Sequence, residues 1–355
     1  MSVFTAPAFD QHELVVFHKD AASGLQAIIA IHNSALGPAV GGCRMFDYAD
    51  ESAALNDVLR LSRGMTYKSA LAGLPMGGGK SVIIGDPARH KSRELLLAMG
   101  DFIESLGGRY VCAEDSGTTV ADMGVIRERT AHVSGVTKQQ RFGGDPSPYT
   151  AYGVFCGIEA ALLHQRGRAS VAGVRIAIQG AGAVGRHLAA RLLKHGAEVF
   201  VADVNADNLK RAVALGATAV AADQVLTLDV DVLAPCAMGA VINEASAETL
   251  RAAIVAGAAN NQLAAPEQGE TLRQRGILYA PDFVINAGGI IDVHYQQCGG
   301  SAEQSERHVE QIRDVLRTIF RESDQRAWST HAVAESMAEA LFKHKAALPG
   351  DAACG

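Results

Sequence analysis

The stretch VRIAIQGAGAVGRHLAARLLKHGAEVFVAD, residues 174–203, decides the fold of the second half of this 355-residue chain. A short apolar run leads into Gly180, Gly182 and Gly185, which have the spacing G-x-G-x-x-G. Apolar residues at helical spacing follow, and a second apolar run ends at Asp203. This order of strand, glycine turn, helix, strand and acidic residue predicts a dinucleotide-binding βαβ unit.

The glycines and the acidic residue each have a physical reason to stand where they do. Gly180 allows a tight turn, Gly182 leaves the backbone open to a pyrophosphate, and Gly185 lets the helix lie close to the strand. The free N–H groups at the helix start favour phosphate, so we expect the whole turn to bind the cofactor: Gly180, Ala181, Gly182, Ala183, Val184 and Gly185. Asp203 can accept hydrogen bonds from a ribose diol and would repel a 2′-phosphate, which favours NAD over NADP. A plain glycine-rich turn is the alternative, but the context fits a cofactor site at every step.

The composition is typical of a soluble globular protein with two domains. Hydrophobic residues make up 48% of the chain, and the mean hydropathy is +0.09. The formal net charge of −6 argues against nucleic acid and anionic membranes as partners. No apolar run approaches the roughly 18 residues of a membrane-spanning helix, and the first residues, MSVFTAPAFDQHEL, lack the features of a signal peptide.

The cysteines and histidines show no pattern typical of a metal site. The six cysteines are scattered without a C-x-x-C pair, and the twelve histidines have no metal-ligand spacing. Scattered cysteines suit free thiols in a reducing compartment. We therefore expect a cytoplasmic protein that holds no metal.

Periodicity predicts alternating strands and helices along the rest of the chain. The predicted elements are a strand at 25–31, a glycine-rich turn at 36–44, helices at 52–63 and 92–106, strands at 81–84 and 110–115, a linker at 138–148, a helix at 150–163, apolar runs at 218–221, 231–235, 252–258 and 277–285, a helical region from about 305, a last helix at 331–345 and a disordered tail at 347–355. Thr119 and Asp122 have capping-box spacing before a helix. Strands alternating with helices after the linker predict an open parallel sheet.

Residues 65–80, MTYKSALAGLPMGGGK, carry the most unusual chemistry outside the cofactor stretch. Lys80 follows three glycines and enters an apolar strand, where a buried ammonium is costly unless it has a partner or a task. A dehydrogenase acting on an amine needs a carboxylate anchor, a proton acceptor and a group that activates water. Lys68, Lys80 and Asp115 would supply these groups if the fold brings them together. The alternatives are a flexible turn with a solvated lysine, and an aspartate that caps the following helix.

The chain resembles the glutamate/leucine/phenylalanine/valine dehydrogenase family, most closely its leucine and phenylalanine dehydrogenase branch. The resemblance lies in motifs that span nearly the whole chain in the family's order: LGPAVGGCRM (36–45), MTYKSALAGLPMGGGK (65–80), AEDSGTTVADM (113–123), GDPSPYTAYGV (144–154), QGAGAVG (179–185), APCAMG (234–239), AGAANNQL (256–263) and YAPDFVINAGG (279–289).

The resemblance implies an α/β protein of two domains with the active site in the cleft between them. An N-terminal α/β domain would bind the substrate and form the oligomer, and it would comprise residues 1–142 with a C-terminal helix from about 329–355. Residues 143–328 would form a Rossmann-type, doubly wound NAD-binding domain. A homo-oligomer, either a dimer or an octamer, is also implied.

The resemblance further implies roles for individual residues. Lys68 would hold the substrate α-carboxylate, Lys80 would activate water, and Asp115 would take protons from the amino group. Gly41 and Gly42 would lie along the substrate, with Asn286 near its polar end. The remaining cofactor contacts would come from Thr150, Cys236, Ala237 and Asn260 or Asn261.

The resemblance also bears on the substrate. Glutamate dehydrogenases carry a lysine where this chain has Val40, and a buried valine cannot pair a side-chain carboxylate, so glutamate should be rejected. The substrate pocket would be lined by apolar residues: Val40, Met65, Ala113, Ile290 and Val293. Ordinary core packing is the alternative explanation for each of them. We expect leucine, isoleucine or valine as the substrate, with phenylalanine as a close second.

Two functions from other classes remain as alternatives. A Rossmann dehydrogenase acting on a hydroxy acid would rely on a histidine base beside an arginine, which the set of Lys68, Lys80 and Asp115 argues against. A non-catalytic NAD-binding protein would lack Lys80 or Asp115, and both are present.

Overall fold

The computed structural model describes residues 2–136, 145–237 and 239–345, apart from the side chains of residues 344 and 345. Contacts within the chain divide it into two compact units. Unit 1 comprises Met1–Gly144, Gln296–Gly299 and Ala338–Gly355, and unit 2 comprises Asp145–Tyr295 and Gly300–Met337. Most of the predicted linker and the whole predicted tail lie outside the described residues.

Unit 1 is built on a five-stranded mixed sheet. Its strands are β1 (Leu14–Asp20), β2 (Leu25–Asn33), β3 (Ala39–Phe46), β4 (Gly77–Ile84) and β5 (Tyr110–Glu114), and its helices are α1 (Glu51–Leu71), α2 (Pro87–His90), α3 (Arg93–Glu104) and α4 (Val120–Ile126). The strand order is β1-β2-β4-β3-β5. β2 is antiparallel to β1 and β4, whereas β3 runs parallel to both β4 and β5.

Helices cover both faces of this sheet, and successive side chains of β2 point alternately to the two faces. Ile29 and its odd-numbered neighbours pack in one core with α3 and α4. Ile28 and Ala30 pack in a second core with Val58 and other residues of α1. The predicted strand at 25–31 is confirmed, and the predicted capping box at Thr119 begins α4.

One prediction for unit 1 is wrong, and one predicted helix is correct but too short. Residues 36–44 are not a glycine-rich turn, because residues 39–46 form β3, which pairs on both sides; this pairing overrides the low strand propensity of glycine. The helix predicted at 52–63 continues to Leu71, because Thr66, Tyr67 and Ala70 are buried and extend the packed face of α1.

Unit 2 contains a six-stranded sheet in which every pairing is parallel. Its strands are β6 (Arg175–Gln179), β7 (Glu198–Ala202), β8 (Thr218–Ala219), β9 (Val232–Pro235), β10 (Ile254–Val255) and β11 (Leu278–Tyr279). Its helices are α5 (Ser147–Arg166), α6 (Ala183–Lys194), α7 (Ala206–Ala214), α8 (Glu244–Thr249), α9 (Glu267–Gln274), α10 (Asp282–Ile285), α11 (Gly288–Gln297), α12 (Ala302–Glu310), α13 (Ile312–Arg326) and α14 (Thr330–Lys345), with the ends of α11 and α14 counted in unit 1.

The strand order β11-β10-β9-β6-β7-β8 is that of a doubly wound dinucleotide-binding sheet. The chain leaves β6 toward β7 on one side and later returns to β9 on the other, so the order reverses between β6 and β9. Ligands bind such sheets at this reversal point, beyond the carboxyl ends of the strands. The predicted α/β fold with a parallel second sheet is confirmed.

The last helix, α14, contributes its second half to unit 1. Phe342 packs edge-on against His32 and Tyr67, and the Tyr67 hydroxyl donates to Glu339 at 2.8 Å. Among the described residues, no helix combines the length and the apolar character that crossing a membrane requires.

Candidate functional site

The glycine turn after β6 has three glycines with three different surroundings. Gly180 has φ +98°, and a Cβ there would lie 2.6 Å from the Cβ of Ala237. A Cβ at Gly185 would lie 1.9 Å from the carbonyl oxygen of Gly180, so helix α6 and the turn are in close contact. A Cβ at Gly182 would meet nothing within 4 Å. Gly180 and Gly185 are therefore required by packing, whereas Gly182 faces open space.

The start of α6 has the properties of an anion site. Gly182 is its N-cap and provides no side-chain hydrogen bond, so the first N–H groups lack a capping acceptor. The Asp203 carboxylate accepts from the backbone N–H groups of Ala181 and Asn205, both at 2.7 Å. Oδ2 also accepts from Nδ2 of Asn208 at 3.5 Å, whereas Oδ1 keeps a lone pair for a ribose hydroxyl. The open backbone, the free donors and this carboxylate fit a dinucleotide.

The other residues predicted to contact the cofactor fall into two places in unit 2. Cys236 and Ala237 directly follow β9 at the reversal point, beside Gly180. Asn286 donates through Nδ2 to Oδ1 of Asn260 at 2.8 Å. A Cβ at Gly289 would lie 2.6 Å from Oγ1 of Thr150, so the segment after Asn286 packs on the first turn of α5.

A buried glutamine that sequence reasoning missed holds the loop that carries Asn260 and Asn261. The Gln262 side chain is fully buried and donates to the carbonyl oxygens of Gly257 and Ala259 at 2.8 and 3.0 Å. Its backbone N–H donates to the buried Asp282 carboxylate at 2.9 Å. Asn261 has φ +51°. The loop geometry thus depends on a buried polar network, and the polar run NNQ was the only signal of it in the sequence.

In unit 1, Lys80 and Asp115 form a buried ion pair. Lys80 lies within β4 with only 6% of its surface exposed, and Asp115 directly follows β5. The other Asp115 oxygen accepts from the backbone N–H of Ser116 at 2.7 Å. Burial raises the pKa of Asp115, but Lys80 and Arg44 outweigh it and hold that pKa at about 2. Asp115 is therefore a carboxylate at neutral pH.

Both alternatives for this segment are excluded. Lys80 is not a solvated lysine on a flexible turn, because the three glycines at 77–79 are part of β4. A Cβ at Gly78 would lie 2.1 Å from the backbone nitrogen of Thr66, so β4 and α1 are in direct backbone contact there. Asp115 is not a helix cap, since Thr119 is the N-cap of α4.

Arg44 is a second residue that sequence reasoning missed. Its Nε lies 3.6 Å from Oδ2 of Asp115, and its Nη1 donates to Oδ2 of Asp57 at 2.9 Å. The sequence signal that could have revealed Arg44 is its position two residues after Gly42. Residues two apart on a strand share a face, so Arg44 lies on the same face of β3 as Gly42.

The sheet face beneath α1 carries Lys80 and half of the predicted substrate residues of unit 1, namely Val40, Gly42 and Ala113. Lys80 pairs in register with Ala30, and Val40 pairs with Gly78, which places both on this face. Gly42 pairs with Ala113, and a Cβ at Gly42 would lie 2.7 Å from the Cβ of Asp115.

The remaining predicted substrate residues lie elsewhere. Met65 and Lys68 are half-buried on α1. Gly41 faces the opposite side of β3, and its carbonyl accepts from the hydroxyl of Tyr110 at 2.7 Å. Ile290 and Val293 lie on α11 in unit 2, with Val293 buried.

The described parts of the chain contain no group of three or more histidine, cysteine or acidic side chains that could hold a metal ion. Five free cysteines are described, of which Cys43, Cys112 and Cys156 are buried.

The chain matches two family models and resembles named enzymes over nearly its full length. Residues 12–132 match the Glu/Leu/Phe/Val dehydrogenase dimerisation domain, and residues 201–347 match the glutamate/leucine/phenylalanine/valine dehydrogenase model. Leucine dehydrogenase from Geobacillus stearothermophilus is 45% identical over 96% of this chain and 93% of its own. Valine dehydrogenase from Streptomyces virginiae is 46% identical over 92% and 93%. The crystal structure of L-tryptophan dehydrogenase from Nostoc punctiforme superposes with a TM-score of 0.80, at 40% identity over 95% and 97%.

The chain therefore belongs to the glutamate/leucine/phenylalanine/valine dehydrogenase family, which confirms the resemblance found in the sequence. This is an oxidoreductase family of NAD(P)-dependent amino-acid dehydrogenases, so the protein is an enzyme of that class.

Proposed function

We propose that this enzyme catalyses the reversible, NAD-dependent oxidative deamination of an apolar L-amino acid to the 2-oxo acid and ammonia. The observation that carries the proposal is the buried pair of Lys80 and Asp115 on the same sheet face as Val40. The pair joins a cation to an ionised carboxylate. The carboxylate can accept a proton from an amine, and the cation can hold a water molecule.

NAD is the proposed cofactor, and when bound it would supply the hydride acceptor. The uncapped start of α6 and the open backbone at Gly182 would hold its pyrophosphate. Asp203 would accept from the ribose hydroxyls, and its charge would repel a 2′-phosphate. Thr150, Asn260 and Asn261 would orient the nicotinamide end, with Cys236 and Ala237 beside the turn.

The proposed chemistry assigns one task to each charged residue of unit 1. Lys68 would hold the substrate α-carboxylate, with Gly41 and Gly42 along the substrate. Asp115, being ionised, would take a proton from the substrate ammonium and leave the neutral amine, which becomes an iminium ion when its Cα loses a hydride. Lys80 would hold the water that adds to the iminium carbon and would carry one proton of this water to the nitrogen, which departs as ammonia. The remaining hydroxyl proton would leave to solvent as the 2-oxo acid forms.

We further propose that the preferred substrates are leucine, isoleucine and valine. Val40 is 3% exposed and has no charge to pair with a glutamate side chain, and an unpaired buried carboxylate costs several kcal/mol. Met65, Ala113, Ile290 and Val293 would complete an apolar pocket, and Asn286 would lie near the polar end of the substrate. The relatives named leucine and valine dehydrogenase favour this choice over phenylalanine.

The organisation of the protein is also part of the proposal. Unit 1 would bind the substrate and unit 2 the cofactor, with the reaction in a cleft between two domains close to residues 1–142 and 143–328. The description of the first family model as a dimerisation domain supports a homo-oligomer, either a dimer or an octamer. The free, buried thiols suit the cytoplasm.

A substrate panel tests the proposal. NADH formation, followed by its near-ultraviolet absorbance, should be fastest with L-leucine, L-isoleucine or L-valine, slower with L-phenylalanine and L-tryptophan, and negligible with L-glutamate. L-lactate should give no NADH, and its oxidation without any amino-acid activity would replace the proposal with a hydroxy-acid dehydrogenase. NAD bound without turnover of any substrate would identify a non-catalytic protein.

Lys68→Ala should mainly raise the KM for the amino acid, and an unchanged KM would remove Lys68 from the carboxylate site.

A further inference from the structure

We propose that Arg44 and Asp57 form a charge-balancing pair that positions the Asp115 carboxylate and keeps the site open to the substrate ammonium. The proposal rests on the proposed function, in which Asp115 receives the proton of the amino group. It concerns two residues that do not themselves touch the substrate in that mechanism.

The geometry shows that Arg44 bridges two carboxylates. Its Nη1 donates to Asp57 at 2.9 Å, which is a full charge-assisted hydrogen bond. Its Nε lies 3.6 Å from Oδ2 of Asp115, which is too long for a hydrogen bond but close enough for a strong charge interaction. Arg44 therefore attracts the same Asp115 oxygen that Lys80 contacts, but it makes no hydrogen bond to that oxygen.

Asp57, on α1, is itself held by a second hydrogen bond, and it therefore fixes the guanidinium of Arg44 in place. Its Oδ2 also accepts from the Tyr48 hydroxyl at 2.6 Å. Burial, together with the hydrogen bond to Asp57, raises the pKa of Tyr48, so this hydroxyl stays a neutral donor. Because Asp57 holds Nη1, the guanidinium of Arg44 is fixed with its Nε turned toward Oδ2 of Asp115.

The charges of this cluster cancel only when Asp57 is counted. Two cations, Lys80 and Arg44, face two carboxylates, Asp115 and Asp57, and their side chains are 8–26% exposed. Solvent therefore screens these charges weakly. The thiol of Cys43, a further titratable group near Asp115, lies on the opposite face of β3. Without Asp57, an incoming ammonium group would approach a cluster with one net positive charge.

A charge-cycle experiment tests the pair with two ligands, L-leucine and 4-methylpentanoate, which lacks the amino group. Asp57→Asn should raise the KM for L-leucine about tenfold, since a net charge at this range acts through a low dielectric. The Ki of 4-methylpentanoate should stay unchanged or fall, because a carboxylate is not repelled. The double variant Asp57→Asn with Arg44→Met restores neutrality and should recover most of the KM for L-leucine.

Arg44→Met alone should lower kcat at neutral pH. It should also move the acid limb of kcat/KM upward by about one pH unit or more, since a nearby cation lowers a carboxyl pKa by roughly that amount. Arg60→Met removes an exposed charge from α1 and serves as the matched control, with unchanged kinetics.

The outcomes separate this proposal from the proposed function. If the unaltered enzyme shows no amino-acid dehydrogenase activity, the proposed function fails, and this inference fails with it. If the unaltered enzyme is active but Asp57→Asn raises the KM of L-leucine and the Ki of 4-methylpentanoate equally, the pair is merely structural and the inference alone is overturned. Failure of the double variant to recover the KM, with its melting temperature unchanged, also overturns it.

Discussion

Replacing Gly182 with alanine should weaken NAD binding while leaving the fold intact. A Cβ at this position meets nothing within 4 Å, and the backbone angles of −63° and −162° are open to alanine. The stability change should therefore stay within about 1 kcal/mol. The methyl group would occupy the space proposed for the pyrophosphate and cost about one charge-assisted hydrogen bond, roughly 1.5–3 kcal/mol. That energy corresponds to a rise in the Kd of NAD of about ten- to a hundredfold.

Gly185→Ala is the matched control, because its defect lies in packing. The added Cβ would lie 1.9 Å from the backbone oxygen of Gly180, which cannot move as a side-chain end would. Overpacking of this kind costs about 1–3 kcal/mol or more, so the melting temperature should fall by at least several degrees.

Calorimetric titration with NAD and thermal unfolding without ligand measure the two effects on the same samples. The expected pattern is a weak-binding, stable Gly182→Ala and a destabilised Gly185→Ala. Wild-type affinity for NAD in Gly182→Ala would refute the assignment of this open backbone to the cofactor.

Three further predictions concern packing, charge and cofactor choice. Gly78→Ala should destabilise the protein by about 1–3 kcal/mol, because its Cβ would lie 2.1 Å from the backbone of α1. Gly64→Ala, whose Cβ would meet nothing within 4 Å, should instead stabilise α1 by about 0.5–1 kcal/mol. Urea unfolding compares the two variants, and equal changes in unfolding free energy would contradict the packing argument. The pKa of Asp115 is lowered to about 2, so the stability that its ionised form contributes is present above about pH 4 and is lost as the pH falls toward 2. Between pH 6 and pH 3 the unaltered protein should therefore lose about 1 kcal/mol more unfolding free energy than Asp115→Asn. Equal losses in the two proteins would show that this carboxyl is not held ionised. Asp203→Ser should raise kcat/KM with NADPH relative to NADH, and an unchanged ratio would remove Asp203 from cofactor selection.

The second half of the fold follows from local sequence patterns. In 174–203 the strand, the turn, the helix and the next strand are contiguous, and Gly180 and Gly185 pack closely against atoms of unit 2. Its parallel sheet was predictable because alternating strands and helices permit few other arrangements. The short strands β8, β10 and β11, of two residues each, were visible only as apolar runs.

The first half depends on contacts that are distant in sequence. The local sequence around Gly41 and Gly42 predicts a turn. They lie in β3 instead, because β4 and β5 pair with β3 on its two sides. The buried glycines of β4 read as flexible, although Gly78 is required by the backbone of α1. Local propensity cannot encode such contacts, since they form between segments that are far apart in the chain.

The candidate site divides in the same way. Lys80 and Asp115 were predictable as candidates, because a buried ammonium needs a partner or a task and catalytic groups often follow a strand, and the family resemblance assigned their roles. Arg44 and Asp57 were not, since their pairing requires the face of β3 and the length of α1 to be known. Gln262 was missed for the same reason, as its acceptors are backbone carbonyls within a folded loop.

Turnover of L-leucine by Lys80→Ala tests the central claim most directly. If the ion pair of Lys80 and Asp115 performs the proton and water chemistry, kcat should fall by at least about a hundredfold. Lys91→Ala breaks another lysine–aspartate pair of unit 1, at 2.8 Å from Asp122, and should keep its kcat. Near-normal kcat in Lys80→Ala, with NAD affinity and melting temperature unchanged, would contradict the account.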